Sequence, residues 1–244
     1  MGSDHPADTV AVSRGLQLAI ETTGTAGSVA VLQEDKVLKQ KKLVLGERTA
    51  ATLAPALKGL LDWVSSQNQK LSFVSVAAGP GSFTGLRIGV TTAKTLCYAK
   101  NLPLIGVDSM AAIAATTFYQ SGELDRLTVG INAYRGQVFT GSFCLGQAVP
   151  GSSDVFSDQQ PSKIVDAEQW SKILAGLPPD QKVTGDKKVF KNEHDFLIRD
   201  HVDAVGVGLV AWRHAQNAKF TDPLHLVPSY LKQSAAEENI ASKG

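Results

Sequence analysis

Apolar residues in the first 45 positions come in short runs. The runs "LQLAI" (16–20), "GSVAVLQ" (27–33) and "VLKQKKLV" (37–44) are β-prone and are separated by Thr-Gly and Glu-Asp turn residues. Short β-prone runs bounded by turn residues are typical of strands joined by hairpins. The beginning of the chain therefore predicts a three-stranded meander.

The apolar period changes after Thr49. Leu53, Leu57 and Val64 follow the 3.6-residue repeat of a helix, which we predict over 49–66, although Pro55 would remove one hydrogen bond inside it. The same reasoning predicts a strand at 71–79, a helix at 84–99, a strand at 102–107 and a capped helix from Ser109. The first half therefore has the element order βββαβαβα.

The second half begins again with strands after a polar segment at 119–126. We predict strands within 127–145 and a loose stretch rich in Gly, Pro, Ser and Asp at 146–163. A helix at 166–175, a strand at 182–185 and a helix at 207–219 follow. We expect an α/β protein with lobes at 15–122 and 123–232, the second being smaller, and flexible ends at 1–14 and 233–244.

Composition indicates a soluble globular protein without a general attraction to nucleic acid. The 244 residues are 43% hydrophobic and 19% charged, with a formal net charge of +1. The short basic runs at 39–42 and 187–188 are interpreted as solvated faces. The sequence shows neither a signal-peptide pattern nor an apolar run near the ~20 residues that span a bilayer. We therefore predict a cytoplasmic protein with no membrane partner.

Motifs for disulfides and metals are missing from the sequence. Cys97 and Cys144 form no Cys-x-x-Cys motif, and no two of the five histidines stand four residues apart. A zinc hydrolase needs several ligands that converge on one ion. We expect no metal site and no disulfide, and we disfavour peptidase chemistry.

A Gly-Pro-Gly turn joins the strand at 71–79 to the next helix. Proline fixes φ, a glycine such as Gly79 permits positive φ, and the hydroxyl of Ser82 or Thr84 can cap the helix. A helix N-terminus of this kind favours anions. Arg87 lies in the first helical turn, where a cation opposes the helix dipole, so we expect a carboxylate or phosphate partner for it.

Small residues form a stripe along this helix. Gly85, Gly89, Ala93 and Cys97 are spaced by four and lie on one face. Each interior glycine costs about 1 kcal/mol relative to alanine, so a close backbone approach should offset it. Either the helix lies very close to its own sheet or another helix packs on the stripe, and the spacing alone does not decide between the two.

Several segments resemble the TsaB (YeaZ) family of tRNA threonylcarbamoyladenosine biosynthesis proteins. "GPGSFTGLRIGVTTAK", preceded by "LSFVSVAA" and followed by "NLPLIGVDSMAAIA", resembles the hallmark segment of that family. "LAIETTGTAGSVAVL", "INAYRGQVF", "VTGD" and "VPSYLK" follow in the family's order, so the resemblance covers about residues 16–232.

The resemblance implies an ASKHA fold, with two ribonuclease-H-like lobes of which the second is reduced. It also implies a dimerisation or scaffold subunit, without catalytic residues of its own, that binds and activates the catalytic homologue TsaD. TsaD transfers a threonylcarbamoyl group to the tRNA adenosine next to the anticodon. The expected partners are TsaD, the ATPase TsaE, tRNA mainly through the complex, and a second copy of the chain when it is alone.

The resemblance places the partner interface on the helices at 49–66 and 84–99. It then interprets the stripe as a surface for a foreign helix, and Gly89→Leu should leave a folded monomer that no longer binds TsaD. The expected interface residues are Thr49, Leu53, Leu57, Gly85, Gly89, Ala93 and Cys97.

An anion or nucleotide could lie near the Gly-Pro-Gly turn. The residues proximal to it would be Thr22, Thr23, Gly79, Gly81, Ser82, Thr84 and Arg87. No cofactor is expected to be intrinsic, and ATP or ADP with Mg²⁺ would bind at the partner interface. The plainer alternative is that Glu21 caps a turn and that Thr22 and Thr23 have satisfied hydroxyls.

Three positions depart from the family pattern. Glu21 stands where the first strand commonly ends in Asp, the acid that holds a hydrated metal in ASKHA kinases. Asn132 replaces an Asp at the start of the second lobe, and Thr49 replaces a frequent His. A stand-alone ATPase or phosphotransferase is therefore the alternative function, but the sequence offers it few of the residues it needs.

Overall fold

Two five-stranded sheets organise the protein. The computed structural model describes residues 12–24, 26–44, 47–122, 124–145, 156–179, 181–190, 196–198 and 202–231. The first sheet has the strand order β3-β2-β1-β4-β5, with β1–β2 and β2–β3 antiparallel and β1–β4 and β4–β5 parallel. Its strands are β1 (Leu16–Glu21), β2 (Ser28–Gln33), β3 (Lys36–Lys42), β4 (Leu71–Gly79) and β5 (Leu104–Asp108).

The second sheet repeats this topology. Its order is β10-β9-β6-β7-β8, so the first strand of each sheet lies between its hairpin partner and a parallel strand. Its strands are β6 (Arg126–Asn132), β7 (Gln137–Leu145), β8 (Phe156–Asp166), β9 (Lys182–Gly185) and β10 (Phe196–Ile198). The repeated order is that of two ribonuclease-H-like units, which confirms the predicted fold class.

Five helices cover the sheets in the described part of the chain. They are α1 (Thr49–Ser66), α2 (Phe83–Lys100), α3 (Ser109–Ser121), α4 (Ala167–Ala175) and α5 (Ala204–Gln216). Between β4 and β5 the chain forms α2, whereas between β9 and β10 the described residues form only a 3-10 turn at Lys187–Val189. The second unit is therefore reduced, as predicted. No helix among the described residues is long and apolar enough to cross a membrane.

The two faces of the first sheet have separate cores. One face buries apolar side chains of β1, β2 and β4 against α1 and α2. The other face packs on α5 and α3, and the same core continues through Leu127 and Val129 of β6 into the second sheet. Helix α4 covers the far side of that sheet, where Trp170 and Leu174 are buried. Helices α3 and α5 thus lie between the two sheets.

Two sequence predictions in the second half were wrong. Residues 156–163, predicted as part of a loose stretch, belong to β8, which pairs antiparallel with β7. A strand at the edge of a sheet tolerates polar residues and proline, so it lacks the apolar signal of an inner strand. The last helix begins at Ala204 rather than near 207, because Asp203 caps it by accepting a hydrogen bond from the Gly206 amide at 2.8 Å.

Candidate functional site

The turn after β1 is held by its own side chains. Glu21 Oε1 accepts hydrogen bonds from the Thr23 amide, from the Thr23 hydroxyl at 2.8 Å and from the Gly24 amide at 3.0 Å. The Thr22 hydroxyl donates to the Gly85 carbonyl oxygen at 2.8 Å. The plainer interpretation of these three residues is therefore confirmed: the carboxyl caps a turn and both hydroxyls are satisfied.

Glu21 is fully buried, and its second carboxyl oxygen has no hydrogen-bond partner. Its pKa is raised from 4.5 to about 7, chiefly because burial disfavours the charged form; the hydrogen bonds from Thr23 and Gly24 oppose this rise, and the nearby Asp203 carboxylate adds a smaller contribution to it. The carboxyl group thus lies away from solvent and holds its proton far more tightly than an exposed acid.

The Gly-Pro-Gly turn has the predicted backbone. Gly79 has φ +117°, and an added Cβ would lie 2.5 Å from the Ser229 carbonyl oxygen, so only glycine fits. The Gly79–Pro80 peptide is cis. Ser82 caps α2 by accepting from the Gly85 amide at 3.3 Å, which confirms one of the two hydroxyls proposed as the cap. Thr84 is exposed beside it.

The small-residue stripe faces inward. A Cβ on Gly85 would collide with the Thr22 carbonyl oxygen, and a Cβ on Gly89 would collide with the Thr22 hydroxyl. Ala93 and Cys97 are buried in the core between α2 and the sheet. The chain's own first sheet and the turn after β1 therefore cover this flank, and the interpretation of the stripe as a surface for a foreign helix is wrong.

Helix α1 also directs apolar side chains that were expected at the interface into the core. Leu53 and Leu57 are buried against the first sheet, so they stabilise the fold and cannot present a docking surface, whereas Thr49 is half-exposed. The expected behaviour of Gly89→Leu is wrong for the same reason. A leucine there has no space beside Thr22, so the substitution should destabilise the fold of the chain itself instead of acting only at an interface.

Arg87 has an aromatic neighbour instead of an acid. Its guanidinium lies 5.6 Å from the centroid of the Phe83 ring, and within the described ranges no carboxylate pairs with it. A cation over an aromatic face is stabilised by the ring's electrons. The expected carboxylate partner is therefore not found, and a phosphate partner stays a prediction.

The turn between β6 and β7 projects two large polar side chains. Tyr134, Arg135 and Gly136 all have positive φ, and the Tyr134 amide donates to Asn132 Oδ1 at 2.8 Å. Tyr134 is 71% exposed. Asn132 thus supports a hairpin turn at the position where the family pattern has an acid.

Sequence reasoning missed how the end of the chain contacts the site. Residues 220–231, the C-terminal strap, return to the first sheet, where the Ser229 amide donates to the Ala78 carbonyl at 2.6 Å. Leu226 packs where a side chain on Gly106 would stand, and the Tyr230 ring lies 4.8 Å from that of Phe83. The one available signal was the segment "VPSYLK", which resembles a C-terminal segment of the TsaB family. That resemblance did not indicate which part of the protein the segment contacts.

Comparisons with known proteins agree with this architecture. The family model described as "TsaD: tRNA N6-adenosine threonylcarbamoyltransferase" matches residues 44–165. The tRNA threonylcarbamoyladenosine biosynthesis protein TsaB of Bacillus subtilis is 36% identical over 146 residues, 58% of this chain and 62% of the relative. The chain thus spans less than two thirds of that relative's length.

Two further comparisons cover more of the chain. An uncharacterized protein of Mycobacterium tuberculosis is 31% identical over 173 residues, 66% of this chain and 76% of the relative. The structure of YeaZ from Pseudomonas aeruginosa superposes with a TM-score of 0.71 at 21% identity, over 89% of this chain and 100% of that one, which shows a shared fold. The chain therefore belongs to the TsaB (YeaZ) family.

Proposed function

We propose that this protein acts in tRNA threonylcarbamoyladenosine biosynthesis, as a subunit that binds and activates a TsaD homologue. That homologue would transfer the threonylcarbamoyl group to the adenosine next to the anticodon. The observation that carries the proposal is membership of the TsaB family, whose B. subtilis relative is named for this pathway. The TsaD family model matches residues 44–165, so this chain and the proposed partner are similar in sequence over that range. This similarity supports the proposal, since two proteins of related fold can pair through equivalent elements.

The proposed docking surface is the outward side of α1 and α2. These neighbouring helices use their inward sides for the core, so only their exposed residues are available to a partner. Small side chains on this side would let a second helix pair approach closely and form a bundle. Exposed positions on this side include Ala51, Ala54 and Lys58 on α1 and Thr84, Thr91 and Thr95 on α2. A second copy of the chain would use the same surface in the absence of the partner, and the ATPase TsaE would join the assembled pair.

A nucleotide, if it participates, would lie at the boundary with the partner. Gly81, Ser82 and Thr84 are exposed at the N-terminus of α2, where backbone amides favour a phosphate. Thr22, Thr23 and Glu21 do not fit the same role. The Thr22 hydroxyl donates to Gly85 on α2, the Thr23 hydroxyl donates to one carboxyl oxygen of Glu21, and the other carboxyl oxygen is shielded from solvent.

A stand-alone phosphotransferase is disfavoured by the same residues. Such an enzyme needs an ionised acid that can reach a hydrated metal, together with a base that activates the acceptor. Glu21 is fully buried with one carboxyl oxygen engaged in hydrogen bonds to Thr23 and Gly24, and Asn132 has no ionisable group. We assign no catalytic residue to this chain.

Co-expression with the TsaD homologue of the same genome tests the proposal. The full-length chain should co-elute with that homologue on gel filtration. Thr91→Arg on α2 or Ala54→Arg on α1 should abolish co-elution without unfolding the chain. Ser171→Arg, on the exposed side of α4, is the matched control and should co-elute like the wild type. Unchanged co-elution of the α1 and α2 variants would contradict the docking surface, and no co-elution of the wild type would contradict the function.

A further inference from the structure

The outer strand of the first sheet carries four exposed lysines. Strand β3 lies at the edge of the sheet, and among the described strands only β2 pairs with it. Lys36, Lys39, Lys41 and Lys42 are all exposed, and we call them the lysine edge. On its outer side β3 presents backbone amide and carbonyl groups to solvent. The strand therefore offers a row of hydrogen-bond donors and positive charges.

Among the described residues, no acid forms an ion pair with the lysine edge. Within the part of the chain that the structure describes, ion pairs join Lys58 to Asp62, Lys172 to Glu168 and His225 to Asp222, and none involves β3. Glu34 and Asp35 stand in the preceding turn, next to Lys36, so the positive charge is greatest from Lys39 to Lys42. Because the whole chain carries a net charge of only +1, this is a local concentration.

The strand register directs two of these lysines to one face. Lys39 pairs opposite Val31, and Lys41 pairs opposite Val29. Both valines belong to the core beneath α1, so Lys39 and Lys41 point to the α1 side of the sheet. Residues two apart on a strand are separated by about 6.6 Å. The Lys39 ammonium lies 5.1 Å from the ring centroid of Trp63, which is half-buried on α1.

Protection of a sheet edge accounts for only part of this arrangement. Lysines on edge strands commonly prevent pairing with another chain. That role requires neither two lysines on one face nor a partly exposed indole ring beside them. Spaced ammonium groups, free backbone amides and an aromatic ring are, however, the groups that contact RNA phosphates and unstacked bases.

We propose that the lysine edge, with Trp63 beside it, is a contact surface for the phosphate backbone of RNA. The choice of RNA over another polyanion rests on the proposed function in tRNA modification. Each ammonium group that neutralises a phosphate releases condensed counterions, so binding here would be sequence-independent and sensitive to salt. The partner TsaD homologue would supply the recognition of the modified adenosine, and this chain would add affinity.

Fluorescence anisotropy with a labelled tRNA transcript tests the proposal on the full-length chain. The variant Lys39→Ala/Lys41→Ala/Lys42→Ala should lower the affinity at about 50 mM salt by tenfold or more. It should also reduce the slope of log K against log salt by about 2, since each lost phosphate contact removes about 0.7–0.9. The control Lys70→Ala/Lys187→Ala/Lys188→Ala removes the same charge from exposed positions elsewhere and should change the affinity by less than about threefold. Thermal unfolding checks that both variants fold.

Several results would overturn the proposal. Equal weakening by the two triple variants would mean that binding follows net charge alone. No binding by the wild type up to about 100 μM at low salt would mean that the chain has no RNA surface. Loss of TsaD-homologue binding in the β3 variant would show that the lysine edge contacts protein instead. Co-elution with the TsaD homologue is measured on the same samples, so failure of the proposed function is seen separately from failure of the RNA surface.

Discussion

The carbonyl oxygen of Thr22 occupies the space that a Cβ atom on Gly85 would need, and the Thr22 hydroxyl donates to the Gly85 carbonyl at 2.8 Å. This contact fixes the first turn of α2 against the end of β1. The obstructing atom belongs to the backbone, so it cannot move aside as a flexible side chain would. The glycine is therefore required by the chain's own fold.

Gly85→Ala should lower the free energy of unfolding by about 2 kcal/mol, because overpacking typically costs about 1–3 kcal/mol. Gly59, in the middle of α1, is the matched control, since a Cβ there meets nothing within 4 Å. Gly59→Ala should raise the free energy of unfolding by up to about 1 kcal/mol through helix propensity. Urea unfolding measures both, and a neutral Gly85→Ala would contradict the close contact.

The stability of the protein should fall as the pH rises through the range set by Glu21. Its pKa is 4.5 in the unfolded chain and about 7 in the folded protein, so the folded state binds the proton more tightly between these values. The contribution of Glu21 to stability is therefore fully present below about pH 4.5 and is lost as the pH rises to about 7, by about 3 kcal/mol in total.

Glu21→Gln isolates this contribution, because the amide keeps an acceptor for the Thr23 and Gly24 amides but has no proton to lose. Urea unfolding of both proteins at about pH 5 and pH 8 gives the comparison. The difference in stability between wild type and variant should shift by about 2–3 kcal/mol across this range, in favour of the variant at high pH. The same pH slope in both proteins would contradict a raised pKa at Glu21.

Cys97 should resist alkylation in the folded protein. Burial raises the pKa of its thiol to about 12, and Sγ contacts the Pro103 carbonyl oxygen at 3.6 Å. In a Cys144→Ser background, iodoacetamide at pH 8 should modify Cys97 only after denaturant is added. Rapid labelling without denaturant would mean that the stripe is open to solvent and does not face the core of the protein.

The C-terminal strap should contribute to stability through Leu226. This side chain is 8% exposed and lies in the core with β4 and α2, whereas Leu224 on the same segment is 76% exposed. Leu226→Ala should cost about 2–4 kcal/mol and Leu224→Ala less than about 0.5 kcal/mol. Similar losses in the thermal midpoint for both variants would show that the strap does not pack as described.

The order of strands and helices was readable from the sequence because most elements bury a regular apolar face. Helix α1 was predicted over its full length, and β1, β4 and β9 to within a residue. Strand β8 was missed because an edge strand buries little and its residues are largely polar. The spacing of apolar residues predicts a helix or strand correctly where that element buries one regular apolar face, as α1 does, and it fails where the element buries few apolar side chains.

The candidate site was less predictable because its contacts join distant segments. The spacing of Gly85 and Gly89 showed that something comes close to α2, but not that Thr22, more than sixty residues earlier, supplies it. The raised pKa of Glu21 follows from burial at the end of β1, which only the assembled core reveals. Likewise, the Arg87 guanidinium lies over the ring of Phe83, four residues earlier on the same helix, whereas the helix dipole had led us to expect a carboxylate or phosphate there.

If this chain supports threonylcarbamoyladenosine formation through the outward side of α1 and α2, tRNA from cells depleted of the chain should lack the modified nucleoside, as measured by nucleoside mass spectrometry. We expect the wild type or Ser171→Arg to restore threonylcarbamoyladenosine and Thr91→Arg not to restore it. An unchanged content of the modified nucleoside after depletion would contradict this role.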